Sequence, residues 1–398
     1  MAIRHNIKYI TFLNIIQRKS LWNQIKVLPL WQIFILKILD MATKKLVILL
    51  TILVNMCGIK AFAYDIAVEN TDGVTLYYNY CNDGKELEVV NDDSYFFYSE
   101  INIPSEVRLE KTIHVTSIGE HAFFYCSNLA SISIPTSVTS IGVAAFEGCT
   151  SLTSIDIPNS VSSIGRNAFY GCKSLRAVTI PSSVSFIDTA AFYECRGLST
   201  VTIENGLTSI SDYCFSFCSG LTTVTLPNSI VSIGEHAFSE CTNLPLCIIP
   251  NSVKTIGSYV FYGCKYLKAV VIGSGCEYID YSVFGGCLYM EDVYCYAKIV
   301  PNTHNAVFGL SYVGYATLHV LDASLQDYKD SSTWSKFAEI VPLIESDPKP
   351  TKIVGVKKDT SRSEIDYFFL NGEHLSTPRK GINIVIMSDG TVLKKIFK

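Results

Sequence analysis

The feature that most constrains this chain is a sequence repeat that runs through its middle and returns every twenty-three positions. Three columns recur at this spacing without a gap, and they hold phenylalanine, cysteine and leucine. The phenylalanine column is Phe123, Phe146, Phe169, Phe192, Phe215, Phe238, Phe261 and Phe284. Cysteine follows three positions later each time, from Cys126 to Cys287, and leucine or methionine three positions after that. A fixed period of this length predicts a solenoid, in which each repeat is one coil and neighbouring coils share a core.

The pattern inside one repeat predicts a strand and a short helical turn in every coil. In Leu129-x-x-Ile132-x-Ile134, alternate apolar residues indicate a strand with one buried face, and the proline that usually follows ends that strand. The Ala-Phe-x-x-Cys segment has the apolar spacing of one helical turn. The predicted fold class is therefore an α/β, β-rich solenoid of about nine coils, with a strand and a short helical turn in each coil, capping modules and a small β tail.

The repeat resembles that of the BspA-like leucine-rich-repeat surface proteins of Bacteroidota. The phrases that carry the likeness are S-I-G-E-H-A-F at Ser117–Phe123 and I-P-N-S-V-S-S-I-G at Ile157–Gly165. The resemblance covers roughly residues 101–320, and it implies adhesion to a host matrix protein or to a neighbouring microbe. The end of the chain resembles the sorting domain of the type IX secretion system, although Phe369 and Glu373-His374 differ from its pattern.

The start of the chain predicts export from the cell. The basic Met41–Lys45, the apolar run Leu46–Val54 and Ala61-Phe62-Ala63 form a secretory signal peptide. Residues 1–40 are then an upstream extension, with Met41 as the initiator. The alternative is a membrane-anchoring extension around Val27–Leu36, a run shorter than the roughly 20 residues of a spanning helix. Cleavage near Ala63 would leave a mature chain without a transmembrane segment, outside the cell or on its outer surface.

The other boundaries follow from where the repeat starts and stops. We expect an N-terminal cap at 64–110, the solenoid at 111–316, a C-terminal cap at 317–345, a linker at 346–360 and the sorting-type tail at 361–398. Caps are expected because the open ends of a solenoid would leave strand edges and core side chains in water.

The charge of the chain argues against a nucleic-acid partner. The segment before Tyr64 holds nine of the 32 Lys and Arg residues and one of the 36 acidic residues. The rest of the chain therefore has 23 basic and 35 acidic residues, a net charge of about -12. An acidic body repels a phosphate backbone.

Fourteen cysteines in an exported chain would normally predict disulfides. Eight of them form the ladder, however, and four others replace core residues of other columns, namely Cys214, Cys247, Cys276 and Cys295. Side chains in register on neighbouring coils point in parallel, which suits the S–S torsion poorly. We interpret these cysteines as small buried apolar groups; the alternatives are an occasional bridge, for example at Cys81, or metal binding, for which no C-x-x-C pair exists.

No pattern in the sequence predicts catalysis, so no catalytic, metal or cofactor residue is expected. Glu120-His121 and Glu235-His236 occupy the same repeat position five coils apart, and separated pairs of this kind are typical of a solvated face. The six histidines after Ala63 lack metal-ligand spacing. No nucleophile elbow, phosphate loop or nicotinamide fingerprint is present. An enzyme that acts on surface polysaccharide is the least favoured interpretation.

The outward residues of the main strand change character along the solenoid. They are largely polar from Ser131/Ser133 to Thr223/Thr225 and largely apolar in the next three coils. Because folding does not require an apolar outer face, we expect a partner-binding patch. Its residues are Leu246, Ile248, Val271, Asp292 and Tyr294.

Two alternatives concern this patch and the role of the chain. In the first, the C-terminal cap at 317–344 folds back onto the patch and covers it. The expected partner is a protein ligand on a host or microbial surface, and a glycan is the alternative ligand. The other function considered is a structural spacer that presents the N-terminal module.

Overall fold

The chain divides into two units, Met1–Ala63 and Tyr64–Lys398. The computed structural model describes residues 64–344 and 347–350, and the backbone of strands at 364–369, 374–375, 381–387 and 392–397. The expected upstream extension and signal peptide lie outside the described residues, as does most of the expected linker.

The residues before the first full repeat form a strand-rich N-terminal module. Leu76 and Tyr78 point inward from its second strand while their neighbours are more exposed, as the alternating sequence predicts. Its strands are β1 (Ile66–Glu69), β2 (Thr75–Cys81), β3 (Glu86–Val89), β4 (Glu100–Asn102), β5 (Glu106–Arg108) and β6 (Thr112–Ile118). β1, β2 and β3 are antiparallel, and β3 then pairs in parallel with β6, which begins the stack of coils.

Each coil of the solenoid contributes up to two short parallel strands. The main strands are β7 (Ser131–Ser133), β10 (Ala177–Ile180), β12 (Thr200–Ile203), β14 (Thr223–Thr225), β16 (Leu246–Ile249), β18 (Ala269–Ile272) and β20 (Asp292–Cys295). The second strands are β8 (Ser140–Ile141), β9 (Ser163–Ile164), β11 (Phe186–Ile187), β13 (Ser209–Ile210), β15 (Ser232–Ile233), β17 (Thr255–Ile256), β19 (Tyr278–Ile279) and β21 (Asn302–Thr303). Strands pair with a shift of one repeat, so equivalent residues of neighbouring coils lie side by side.

The main strands do not form one continuous sheet, and Pro245 explains one break. In neighbouring coils the N–H of Thr222 donates to the Ser199 carbonyl, and the N–H of Lys268 donates to the Pro245 carbonyl, each at 2.9 Å. Proline has no N–H, so the equivalent bond from Pro245 to Thr222 cannot form. β10, β12 and β14 accordingly make one sheet, and β16 begins another.

The phenylalanine and cysteine columns form two ladders inside the core. All eight phenylalanines are fully buried, and successive rings stack at 4.9–5.7 Å between centroids. Each cysteine of the ladder, from Cys149 to Cys287, donates its S–H to the carbonyl of the ladder phenylalanine in the preceding coil, at 3.1–3.3 Å. This carbonyl also accepts the N–H of the cysteine in its own coil, so the thiol gives it a second hydrogen bond, which an alkyl side chain could not donate.

The described cysteines are all free thiols, thirteen in number. Burial raises the pKa of the ladder thiols, for example that of Cys195 to about 12. The ladder cysteines thus have the inert, buried environment that the repeat pattern predicts.

The Ala-Phe-x-x-Cys segment forms successive turns rather than a regular helix. Residues such as His121 and Tyr125 have φ of 58° and 55°, in the left-handed region. The N–H of Phe123 donates to the Ala145 carbonyl of the next coil at 2.7 Å, instead of to its own coil. The turn therefore links two coils, which an isolated helical turn would not do.

Large aromatic side chains close the C-terminal end of the solenoid. The elements are β22 (Thr317–Val320), helix α1 (Leu325–Asp330) and β23 (Glu339–Pro342). Trp334 and Phe337 pack edge-on against Phe308, at 5.5 and 5.1 Å between ring centroids. Tyr328 is buried, and its hydroxyl donates to the Ala297 carbonyl at 3.0 Å. This segment covers the end of the phenylalanine ladder.

The last described strands form a separate four-stranded antiparallel sheet. They are β24 (Glu364–Phe369), β25 (His374–Leu375), β26 (Gly381–Met387) and β27 (Val392–Phe397), in the order β25-β24-β26-β27.

Candidate functional site

The structure brings the five predicted patch residues together on one face of β16, β18 and β20. Leu246 lies beside Ala269 and then Asp292, while Ile248 lies beside Val271 and then Tyr294. Leu246, Ala269, Val271 and Tyr294 form a small buried cluster that is separate from the main core. Ile248 and Asp292 are half-buried. The alternation in the sequence therefore places these residues on one face, but most of that face is not exposed to solvent, and its binding role stays a prediction.

A segment of the chain itself covers this patch. We define the covering segment as Leu343–Pro350, of which Glu345 and Ser346 are not described. Leu343 packs against the buried cluster. The hydroxyl of Tyr296 donates to the Pro348 carbonyl at 2.9 Å, and the Asn251 amide donates to the Pro350 carbonyl at 3.2 Å. The cover therefore extends beyond the cap at 317–344 that the sequence suggested, into residues expected to be linker.

His319 joins the covering segment to the patch. Its ring stacks on Tyr294 at 4.3 Å between centroids, and its Nε2 lies 2.9 Å from Oδ1 of Asp292. On the other side its Nδ1 lies 3.9 Å from Oδ2 of Asp347, a buried carboxylate that also accepts the N–H of Ile344. Burial raises the pKa of the Tyr294 hydroxyl. The imidazole thus bridges two carboxylates, one on the sheet and one on the covering segment.

An open groove of about 480 Å³ runs along the second strands. Hydroxyl side chains of β13, β15 and β17, together with Asp212, Asp280 and Tyr278, line it. Asp212 uses Oδ1 to accept the N–H of Glu235 at 2.7 Å, and Asp280 uses Oδ1 to accept the N–H of Tyr281 at 2.7 Å. The groove therefore offers hydrogen-bond acceptors and hydroxyl groups rather than an apolar pocket.

The N-terminal end carries a surface of exposed aromatic rings. We call Phe96, Phe97, Phe124 and Tyr125 the N-terminal aromatic surface. Their exposed fractions are 46%, 78%, 38% and 55%. Phe97 is therefore among the most exposed large apolar side chains of the described residues.

Two tied turns hold these rings in place. Phe96 and Phe97 end a 3₁₀ turn at Asp93–Phe97, which Asp92 caps by accepting the N–H of Ser94 at 2.8 Å. Within that turn Tyr95 points inward and packs on Phe123 at 5.0 Å between centroids. The Asn128 amide donates to the Phe96 carbonyl at 2.9 Å. These contacts place the turn of Phe96 and Phe97 next to the turn of Phe124 and Tyr125.

Acidic residues lie on the turns that carry the N-terminal aromatic surface and on the turn that follows them. Asp93 and Glu120 are exposed on the same two turns, and Glu147 occupies the position of Phe124 in the following coil. No lysine or arginine occurs between Lys111 and Arg166. The rings therefore lie in a negative environment.

Exposed tyrosines also occur in the last coils. Tyr266 and Tyr289 stack on each other at 5.3 Å between centroids, with their outer edges in solvent. Lys268 pairs with Glu291 of the next coil, at 2.6 Å, so both charge signs are present there. This part of the surface therefore has no single charge sign.

The candidate catalytic pairs do not form a site. Glu120 lies 3.4 Å from His121, and Glu235 lies 3.7 Å from His236, on coils far apart. Across residues 64–344 and 347–350, no group of three His, Cys, Asp or Glu side chains is placed to hold a metal ion. The part of the chain that the structure describes also contains no helix of membrane-spanning length and apolarity.

Comparison with known families decides the identity of the repeat. The model of the BspA type leucine rich repeat region matches residues 92–218 and 185–309, in six copies. This chain belongs to the BspA-type leucine-rich-repeat family. Membership suggests protein recognition at a cell surface and indicates no catalytic family.

Two solved structures illustrate what this BspA-type repeat protein is similar to. A leucine rich cell surface protein from Faecalibacterium prausnitzii is 24% identical, with a TM-score of 0.47 over 71% of this chain and 96% of that chain. A leucine-rich repeat protein from Bacteroides ovatus is 27% identical, with a TM-score of 0.40 over 70% of this chain and 79% of that chain. The comparison with curated proteins gave no match.

The N-terminal aromatic surface of this BspA-type protein was not predicted from the sequence. Half of it, Phe96 and Phe97, precedes the repeat, and the spacing to its structural equivalents Phe124 and Tyr125 is longer than one period. The period therefore does not align the two halves. The other half was open to detection, because Phe124-Tyr125 stands where the next two coils have Glu147-Gly148 and Tyr170-Gly171. A comparison of turn positions, like that of strand positions, would have found it.

Proposed function

We propose that this BspA-type repeat protein is exported to the cell surface, where it adheres to a protein of the host matrix or of a neighbouring microbe. The observation that carries the proposal is the N-terminal aromatic surface, whose four rings remain in water although the core is closed behind them. Aromatic side chains are enriched at the centres of protein interfaces, where they contribute much of the binding energy. Binding of a partner would explain why these rings are exposed, whereas folding does not require them to be.

The position of this surface also supports a presenting role for the solenoid. The rings lie on the first two turns, and the next coil supports them through Glu147 and Gly148. The coils after that one extend away from the rings. The two functions considered from the sequence, recognition and spacing, are therefore compatible in one chain.

The predicted main-strand patch remains a proposed second contact for the partner. Leu246, Ile248, Val271, Asp292 and Tyr294 would meet a ligand only after the covering segment moves away. Among the described residues, the segment is held by hydrogen bonds from Tyr296, Asn251 and the N–H of Leu343, and by the pair of His319 and Asp347. Breaking these contacts costs less than opening the core.

Glycan binding is the second candidate function, and the groove along the second strands favours it. Carboxylate and hydroxyl oxygens with one tyrosine ring form the chemistry that recognises sugar hydroxyls and the apolar faces of sugar rings. Replacing Asp212 with Ala would lower glycan binding if this groove is the site, and would leave protein binding unchanged.

The test of adhesion is a binding panel with the full chain. Matrix proteins, mucin and whole cells of neighbouring species are immobilised, and saturable binding is measured. Saturable binding of a protein that survives deglycosylation of the target supports adhesion. Binding that deglycosylation removes supports the glycan function instead, and no saturable binding to any target contradicts adhesion. Protease treatment of intact producing cells, followed by detection of the chain, tests surface display.

A further inference from the structure

We propose that the N-terminal aromatic surface binds a basic protein segment, one that presents apolar side chains between lysine or arginine residues. This inference rests on the proposed function, and it names the surface and the chemistry of the partner. Its four rings would take the apolar side chains, and the surrounding carboxylates would take the positive charges.

The rings of Phe96 and Phe97 are held on a rigid turn. Tyr95, within the same turn, is fully buried and accepts the N–H of Tyr77 at 2.8 Å, so the turn is fixed to the N-terminal module. Phe96 and Phe97 then project from a rigid base, and their rings meet edge to face at 5.9 Å. Rings that are already ordered lose little conformational entropy when a partner binds, which favours affinity.

The second turn adds to the same surface. The ring of Phe124 contacts that of Tyr125 at 4.5 Å and that of His121 at 4.9 Å. The ring of Tyr125 lies on Gly148, where an added Cβ would come within 2.8 Å of it. The absence of a side chain at this position therefore leaves room for the tyrosine ring, which meets Phe124 edge to face.

The acidic side chains near the rings favour a basic partner. Asp93, Glu120 and Glu147 belong to the turns that carry the rings or to the next turn. The stretch of chain between Lys111 and Arg166 contains no basic side chain except histidine. His121, the histidine at the surface, lies 3.4 Å from Glu120. An acidic rim repels an acidic partner and attracts a basic one, and it raises the rate of encounter with the latter.

The probe for this proposal is a phage-displayed library of short random peptides, selected on the immobilised full chain. We expect the selected peptides to combine lysine or arginine with aromatic or aliphatic residues. Their affinity should fall as salt rises, because screening weakens the attraction between exposed charges.

Matched variants locate the binding. Phe97→Ser should weaken the selected peptides by about tenfold or more, as expected for loss of a central aromatic anchor. Phe186→Ser is the control, because Phe186 is an isolated exposed phenylalanine on β11. Glu120→Lys should weaken binding and flatten its salt dependence. Glu235→Lys, at the same repeat position beside His236, should do neither.

Each other outcome overturns the proposal. Selected peptides without basic enrichment, or equal loss in Phe97→Ser and Phe186→Ser, would show that the surface does not choose a basic segment. Failure to select any peptide would do the same. A dimer of the full chain in sedimentation that Phe97→Ser abolishes would make a second copy the occupant. The proposed adhesion would survive each of these results if the panel of matrix proteins and cells still gave saturable binding.

Discussion

The two apolar surfaces of this solenoid differ in what the chain does with them. At the N-terminal end, Phe97 and its neighbours stay in water on a rigid base. Near the C-terminal end, Val271 and Tyr294 would be equally apolar in water, but the covering segment and His319 bury them. An apolar outer face predicted from sequence can therefore be covered in two ways, by a partner or by another segment of the same chain. Only the uncovered surface is ready to bind without a rearrangement.

The largest expected difference between the surfaces is in stability. Val271→Asp would place an unpaired carboxylate in a closed site and lower the free energy of unfolding by about 3 kcal/mol or more. Phe97→Asp would change it by less than about 0.5 kcal/mol, since the side chain is already exposed. Thermal and urea unfolding of both variants measure this. Equal losses in the two variants would mean that the surfaces do not differ as described.

Removing the cover should give a smaller effect. Replacing residues 343–350 with Gly and Ser residues would expose part of the buried cluster and cost about 1–2 kcal/mol from lost apolar burial. The measurement is binding of a dye that fluoresces on apolar surfaces, together with sedimentation for self-association. The same replacement at residues 351–357 is the control. Unchanged dye binding in the first variant would show that the segment does not cover the patch.

A single contact of the cover should matter less again. Asp347→Asn keeps the size of the side chain but removes the charge that faces His319, so we expect a loss of about 1 kcal/mol. The covering segment should then be cut faster by a protease under native conditions. Glu339→Asn, at an exposed site on β23, is the control. A cutting rate equal to that of the unchanged protein would show that the contact between His319 and Asp347 does not hold the covering segment in place.

The smallest effect concerns pH and a third histidine. Stacking between Tyr213 and Tyr259 desolvates His236 and lowers its pKa below the ordinary 6.5. As pH falls below 6.5, the unfolded chain therefore takes up the proton more readily than the folded one, and the free energy of unfolding declines slightly. His236→Gln should flatten melting temperature against pH between about 7 and 5. A profile in His236→Gln with the same slope as that of the unchanged protein would contradict this role of His236.

The repeat explains why much of the fold was predictable from sequence. A column such as that of Phe169 or Cys172 sees the same neighbours in every coil, so one period predicts burial for the whole set. The outward face of the main strand was predictable for the same reason, and the five candidate residues do lie together. What covers them was not, because Pro348 and Pro350 meet the sheet across a long stretch of chain and follow no period.

Three further features depend on contacts that periodicity does not report. The left-handed turn at Tyr125 is set by hydrogen bonds to the next coil, whereas its apolar spacing is that of a helical turn. The break of the main sheet at Pro245 depends on one missing N–H. The placement of the turn of Phe97 next to the turn of Tyr125 depends on Tyr95, which packs on Phe123 as the phenylalanine of a preceding coil would, although its spacing departs from the repeat.

The most direct test of the central contrast is hydroxyl-radical footprinting of the free full chain, read by mass spectrometry. We expect strong oxidation of Phe96, Phe97, Phe124 and Tyr125, and weak oxidation of Leu246 and Tyr294. Adding a bound partner should then protect the first group. Equal oxidation of the two groups in the free chain, or stronger oxidation of Leu246 and Tyr294, would contradict the claim that one surface is open and the other is covered.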